Sequence, residues 1–401
     1  MTATSGAPAL QRCVGDAGAF LAVAYGTTLH RWHGGGFDDL LSIADIDGQL
    51  SGAGLRRPAI RVVRDGEVID PARWTRRART GGTWVDDLAD PGRTLGLFGQ
   101  GATIVLQSLH RWWPPLTTFC RELEDALGHP VQANAYLTPA GAAGFTPHHD
   151  THDVFVLQVH GTKHWTIREP LVDAPLDRHR SDHEAAAARP VVGELDLVPG
   201  DCLYLPRGFI HSAAAQEDVS LHLTIGVLAV TRHELLRRIV DRTAEEPSFR
   251  RGLPADHATD GAAARVVKEV VADLIAWLER LDVDTVAGDL VERAAARRVP
   301  LLDGQLLAMT RLGDIDERTT LRLRPGVRWR LEPGEGESVV LVLRDRRLHL
   351  PAALEPVLRR VLAGPPVTVA ALADQLDGGS RLVLARRLVR EGVLLVDDAR
   401  S

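Results

Sequence analysis

Thr146-Pro147-His148-His149-Asp150-Thr151-His152-Asp153 is the stretch on which the reading of this chain turns. The chain has sixteen histidines, mostly scattered, and this is the dense cluster among them. Its useful subset is His148-x-Asp150, the only H-x-D in the cluster. On a β-strand, residues two apart point to one face, so an imidazole and a carboxylate converge on a single point. Two ligands do not make a tight metal site, and a third must come from a neighbouring strand. His211 is the candidate, at the end of Pro199-Gly200-Asp201-Cys202-Leu203-Tyr204-Leu205-Pro206-Arg207-Gly208-Phe209-Ile210-His211. Pro-Gly-Asp reads as a turn, 202–205 as a strand and Pro206-Arg207-Gly208 as a second turn, after which His211 re-enters the sheet. Two histidines and one carboxylate on one side of a metal leave the opposite positions open, the facial triad of non-haem Fe(II) oxygenases. The competing account is a polar surface loop plus an unrelated core histidine. The joint pattern, with each histidine beside turn residues and apolar strands, favours the metal.

Lys163 points the same way. The chain holds 47 lysines and arginines together, and only Lys163 and Lys268 are lysine. Gly161 predicts a turn, so the chain passes the metal, reverses, and carries Lys163 inward on the return strand. A buried lysine must be paired or neutralised, and a carboxylate reaching from the metal would pair with it. The alternative is a solvated turn lysine.

Working outward, short runs rich in Val, Ile, Leu and aromatics lie at 59–63, 103–106, 154–159, 164–167, 202–205 and 221–228, between Gly, Pro and Asp turns. They predict an antiparallel β architecture up to about residue 230. One helix is expected over 115–127, with Leu116, Phe119, Leu123 and Leu127 on one stripe. The character changes at Thr231-x-x-Glu234, a capping box opening a helix. Further helices are expected over 262–281 and 284–297. Their apolar stripes cannot be buried within so small a segment, so they should dock on a neighbour or a second copy of the chain. The last ninety residues predict a strand at 339–343, helices at 352–362, 369–376 and 380–390, and a closing strand at 393–396. That order outlines a winged helix-turn-helix.

Length and composition agree. At 401 residues the chain exceeds one ordinary domain, and 45% hydrophobic with 25% charged residues is the profile of a globular protein rather than a disordered one. A net charge of −6 does not suit general nucleic-acid binding. No apolar run approaches a membrane span and no signal peptide is recognisable at the N-terminus. Cys13, Cys120 and Cys202 are odd in number and far apart, which excludes a disulfide framework and fits a reducing cytoplasm.

The ordered series Asn134-Ala135-Tyr136-Leu137-Thr138-Pro139, Pro147-His148-His149-Asp150, Phe155-Val156-Leu157-Gln158-x-x-Gly161-x-Lys163-x-Trp165 and Gly200-Asp201-x-Leu203-Tyr204-x-Pro206-Arg207-Gly208-x-x-His211 resembles the JmjC-type, cupin-like 2-oxoglutarate oxygenases, in the branch of the ribosomal oxygenases and their bacterial relatives. The resemblance implies a mixed α+β fold with a double-stranded β-helix (jelly-roll) catalytic core. Three domains are expected: 1–230 for the oxygenase, with its motif core at 95–228, then 231–314 for α-helical dimerisation and 315–401 for a winged helix. It implies His148, Asp150 and His211 as iron ligands. Lys163 would pair with the distal carboxylate of 2-oxoglutarate, Asn134 and Tyr136 would line the cosubstrate pocket, and Thr224 would supply a hydroxyl from the last barrel strand. His149 stands where the family commonly has Tyr, and with His152 it is expected near the substrate mouth.

The function implied is Fe(II)- and 2-oxoglutarate-dependent hydroxylation of a protein or peptide side chain, a ribosomal protein included. O2 is the other cosubstrate, and succinate and CO2 are released. The same chemistry on a small natural product is one alternative. A winged-helix nucleic-acid-binding regulator with the barrel as sensor is another, since Arg381, Arg386, Arg387 and Arg390 fall on its third helix. Acidic Asp374, Asp377 and Glu391 among them favour a solvated face, so nucleic acid is not the expected partner. A cytoplasmic homodimer without membrane attachment is expected.

Overall fold

The computed structural model describes residues 8–52, 54–179, 182–297, 302–343 and 345–397. Two antiparallel sheets face each other in its first half. The larger has eight strands, in the order His30–His33, Asp201–Leu205, Asp153–His160, Ser220–Val227, Val131–Thr138, Thr103–Leu106, Ile60–Arg64, Glu67–Val68. The smaller has four: Val191–Leu197, Lys163–Arg168, Ile210–Ala215 and the two-residue His148–His149. From Val131–Thr138 to Ser220–Val227 the chain passes back and forth between the sheets, with only Lys163–Arg168 and Val191–Leu197 consecutive in one of them, which makes a double-stranded β-helix.

Strand Asp153–His160 shows why the sequence folds this way. Its side chains are buried on both faces along nearly its whole length. Phe155, Leu157 and Val159 join the helical layer outside the sheet, while Val154 and Val156 face inward with Trp165, Ile167, Leu203 and Leu205. An unbroken apolar run is what a strand covered on both sides requires. The outer layer comes from helices Pro8–Val14, Ala17–Val23, Ile43–Ser51 and Pro114–Leu127, through Leu10, Phe20, Ile46, Leu116 and Leu123. Full burial of each such side chain stabilises the fold by about 1.5–3 kcal/mol. The helix expected over 115–127 is present, one residue longer; the small N-terminal helices are too short for a periodic signal.

Gly161 makes the crossover between sheets. Its φ is +63°, and a Cβ there would lie 2.1 Å from the Val219 carbonyl oxygen. No residue with a side chain fits. The turn delivers Lys163 to the smaller sheet, where it pairs with Leu197 on one side and Ala215 on the other.

Helices Arg232–Asp241, Ala262–Leu278 and Val283–Arg297 follow the barrel. Thr231 caps the first, its hydroxyl accepting from the Glu234 N–H at 3.0 Å. The C-terminal region has its own core, built from Leu321, Leu341, Leu358, Val361, Leu384 and Leu388 among others. It differs from the expected outline in two ways. The stretch read as a helix over 369–376 forms only a 3-10 turn at Val369–Leu372, because Val367–Thr368 pairs with Thr320–Leu321 and Thr368 provides no side-chain cap. A second three-stranded sheet, Arg330–Pro333, Ser338–Val342 and Arg347–Pro351, precedes helix Glu355–Ala363. Helix Gly378–Arg390 holds the four arginines, but Arg381 is paired with Glu317 at 2.7 Å and Arg386 donates to the Ile315 carbonyl at 2.9 Å. Half of that basic set therefore serves the fold. Among the described residues no helix is long and apolar enough to cross a membrane.

Candidate metal and cosubstrate site

The two sheets enclose a cavity of about 450 Å³. Inward residues on the larger sheet form layers set by strand register. Thr138 lies opposite Ser220, Tyr136 opposite His222, and Asn134 opposite Thr224. Lys163 belongs to the first layer and is only 2% exposed. Its ammonium donates to the Thr138 hydroxyl at 3.0 Å, and Thr138 is in turn bonded to Thr103 at 3.2 Å. Burial pushes the Lys163 pKa down to about 7. A buried ammonium with one hydroxyl partner in the wall of a cavity is a receptor for an anion.

His148, Asp150 and His211 meet at the other end. Each offers one ligand atom, and the three atoms lie within 4.8 Å of one another. Pairing of strand Ile210–Ala215 with His148–His149 puts His211 opposite His148. Both rings are held by backbone: His148 Nδ1 lies 2.8 Å from the Thr146 carbonyl and His211 Nδ1 lies 3.1 Å from the Phe209 carbonyl. A carbonyl only accepts, so each ring carries its proton on Nδ1 and turns a bare Nε2 lone pair outward. His211 Nε2 is 3.7 Å from an Asp150 carboxylate oxygen. Burial, then His148, pushes the His211 pKa down to about 4. Burial alone would raise the Asp150 pKa, but His211, His152, His148 and His149 together outweigh it and the net shift is downward. Two imidazoles tethered through Nδ1 and a carboxylate fit a divalent transition metal.

The other expected residues divide. Tyr136 and Thr224 line the cavity. Asn134 shares their face, but its side-chain oxygen accepts from the Ser108 N–H at 2.9 Å and it does not reach the lining. His149 reaches the cavity and is tied through Nε2 to the His179 carbonyl at 3.0 Å. His152 does not line it; its Nε2 sits 3.2 Å from Gln132. Arg61, Phe145, Trp165 and His222 are among the lining residues to which the sequence assigns no role. Arg61 lies over the Phe145 ring at 5.2 Å, and Trp165 and His222 meet edge to face at 5.5 Å. Arg61 comes from a strand far upstream, and nothing local marks it.

A double-stranded β-helix enclosing a His-Asp-His centre and a buried lysine is an arrangement similar to that of the JmjC-type proteins. Residues 113–235 match the JmjC domain family. Within the class the resemblance is to the ribosomal oxygenases. The chain is 32% identical over 235 residues to ribosomal oxygenase 1 of Rattus norvegicus, covering 55% of this chain and 37% of that protein. It is 30% identical over 272 residues to the bifunctional lysine-specific demethylase and histidyl-hydroxylase NO66 of Dictyostelium discoideum, covering 62% and 51%. The chain thus spans between a third and about half the length of these curated relatives. Among solved structures, Escherichia coli ycfD shares the fold with a TM-score of 0.53 at 16% identity, over 95% of this chain and 98% of that one. The same protein, described as a ribosomal oxygenase in complex with cobalt and 2-oxoglutarate, superposes with a TM-score of 0.51 at 17% identity and the same coverage.

Proposed function

We propose that the chain is an Fe(II)- and 2-oxoglutarate-dependent oxygenase that hydroxylates a protein or peptide side chain. The observation that carries this reading is one cavity with two opposed ends. At one end two backbone-tethered imidazoles and a carboxylate converge. At the other a buried lysine awaits an anion. His148, Asp150 and His211 would hold the iron, which when bound couples decarboxylation of 2-oxoglutarate by O2 to hydroxylation of a C–H bond.

The chain's own residues bind, orient and exclude water. Lys163 fixes the far carboxylate of the cosubstrate, assisted by the Thr138 hydroxyl. Tyr136 and Thr224 flank its length. The Thr146 and Phe209 carbonyls keep both imidazoles from rotating away. Val154, Val156 and Trp165 close the inner wall against water. Asn134 acts at one remove, by fixing the loop that begins at Ser108.

The domain reading is the oxygenase at 1–230, a helical segment at 231–314 and a winged-helix-like unit at 315–401. In the second, Val267, Val270, Val271, Ile275 and Leu278 are each at least 40% exposed on one helix. Such a row calls for a partner surface, and a homodimer through this segment is the reading it supports. Three free, buried cysteines suit a cytoplasmic setting.

The test is succinate release by the purified chain with Fe(II), 2-oxoglutarate and O2. It is screened against ribosomal proteins and peptides, with mass spectrometry for a gain of one oxygen. Oxygen added to a protein side chain supports the proposal. Succinate release stimulated only by small molecules would transfer the chemistry to another substrate class, and a protein that never turns over 2-oxoglutarate would end it.

A further inference from the structure

His222 occupies the middle layer of the cavity, between Lys163 and the metal triad, and no role described so far uses it. It lies on strand Ser220–Val227, two residues beyond the Lys163 layer and two short of the Thr224 layer. The ring is 4% exposed. It stacks on Tyr136 with centroids 4.9 Å apart and planes 5° from parallel, and takes the Trp165 edge at 5.5 Å. Its Nδ1 is sealed from solvent and has no hydrogen-bond partner.

That orphan atom identifies the tautomer. Leaving an N–H donor buried and unpaired is the costlier choice, since the remaining acceptor lone pair is the weaker demand. The proton therefore sits on Nε2, the polar atom that the ring can still offer to the cavity it lines. Burial, reinforced by Lys163 and His211, holds the pKa well below the ordinary histidine value, so the ring is neutral. A phenylalanine would make the same stack with no unpaired nitrogen. An imidazole at this position is a net cost to the fold unless something accepts from it.

We infer that His222 is a cosubstrate-binding residue whose Nε2–H donates to a carboxylate of 2-oxoglutarate lying between Lys163 and the His-Asp-His centre. The inference rests on the function proposed above. Adjacent layers on a strand are about 6.6 Å apart. A five-carbon diacid spans on the order of 5–7 Å at ~1.5 Å per bond. Anchored on Lys163 and reaching toward His211, it must pass the His222 layer.

The test is calorimetric titration of 2-oxoglutarate into Mn(II)-loaded protein without O2, which reads binding and not turnover. His222→Phe is expected to weaken 2-oxoglutarate by ~10-fold or more, the worth of one hydrogen bond to a charged group. Mn(II) affinity should stay within about twofold, because a donor to the cosubstrate leaves the metal ligands untouched. Wild-type affinity in His222→Phe overturns the inference and leaves the proposed function standing. A wild-type protein that takes up no 2-oxoglutarate overturns both. Should the variant misfold, ¹⁵N-histidine spectra of the Zn(II)-loaded wild type decide: a downfield shift of the His222 Nε2 proton on adding 2-oxoglutarate supports the assignment, and an unmoved resonance refutes it.

Discussion

Lys163→Met separates what the cavity costs from what it does. Methionine nearly matches the lysine stem in volume and removes the charge. In the metal-free protein the variant should be the more stable of the two. The Lys163 pKa falls from 10.5 to about 7 on folding, and at ~1.36 kcal/mol per unit this sets a ceiling of about 5 kcal/mol on the gain. The bond to the Thr138 hydroxyl is lost, worth ~1 kcal/mol or a little more, and Thr138 keeps its Thr103 partner. The net expectation is a gain of at most about 3–4 kcal/mol at pH 7. The sign has a pH signature. Between pH 7 and 10.5 the unfolded chain holds the lysine proton and the folded chain releases it, so wild-type stability rises with pH and the variant's does not. The advantage of Lys163→Met should therefore shrink between pH 7 and pH 9.5, read by urea unfolding followed through tryptophan fluorescence. Cosubstrate offsets most of that gap: at a hundred times its dissociation constant it stabilises wild type by ~2.7 kcal/mol and should leave the variant almost unmoved. A variant less stable than wild type without ligands, or a stability gap that ignores pH, would refute this account of the buried ammonium.

Three further outcomes follow from the same structure. His148→Ala should abolish Mn(II) binding in the micromolar range, measured by electron paramagnetic resonance, and reduce succinate release to background; near-normal turnover would remove His148 from the ligand set. Gly161→Ala forces a Cβ onto the Val219 carbonyl and should destabilise the barrel by ~3 kcal/mol or more, seen as a loss of soluble protein or a melting temperature many degrees lower; an unchanged melt would contradict the crossover geometry. Light scattering should give a mass near twice 43.6 kDa, and Val271→Asp, on the exposed apolar face, should halve it; a wild-type monomer would end the dimer reading.

Much of the site was legible because local spacing carries it. His148 and Asp150 are two residues apart and do meet, although the strand ends at His149 and Asp150 follows it, and Gly161 followed by Lys163 needs only a turn. The strands at 103–106, 154–159 and 202–205 were visible as apolar runs because they are covered on both faces, and their observed bounds differ by at most one residue at either end. The C-terminal stretch at 369–376 forms no full helix because the two residues before it, Val367–Thr368, pair with Thr320–Leu321, a partner nearly fifty residues away that no local propensity reveals.

The sequence by itself determined which groups could bind a metal, since two residues of separation keep His148 and Asp150 within reach of one point even though the strand stops at His149. It determined too that a scarce lysine follows the turn after them. Only the tertiary structure decided that His211 faces that pair, that Asn134 turns to Ser108, and that Arg61 and His222 share the cavity with Lys163. Those relations depend on which strands are neighbours across two sheets, and strand pairing is fixed by burial of the whole barrel, not by any single segment.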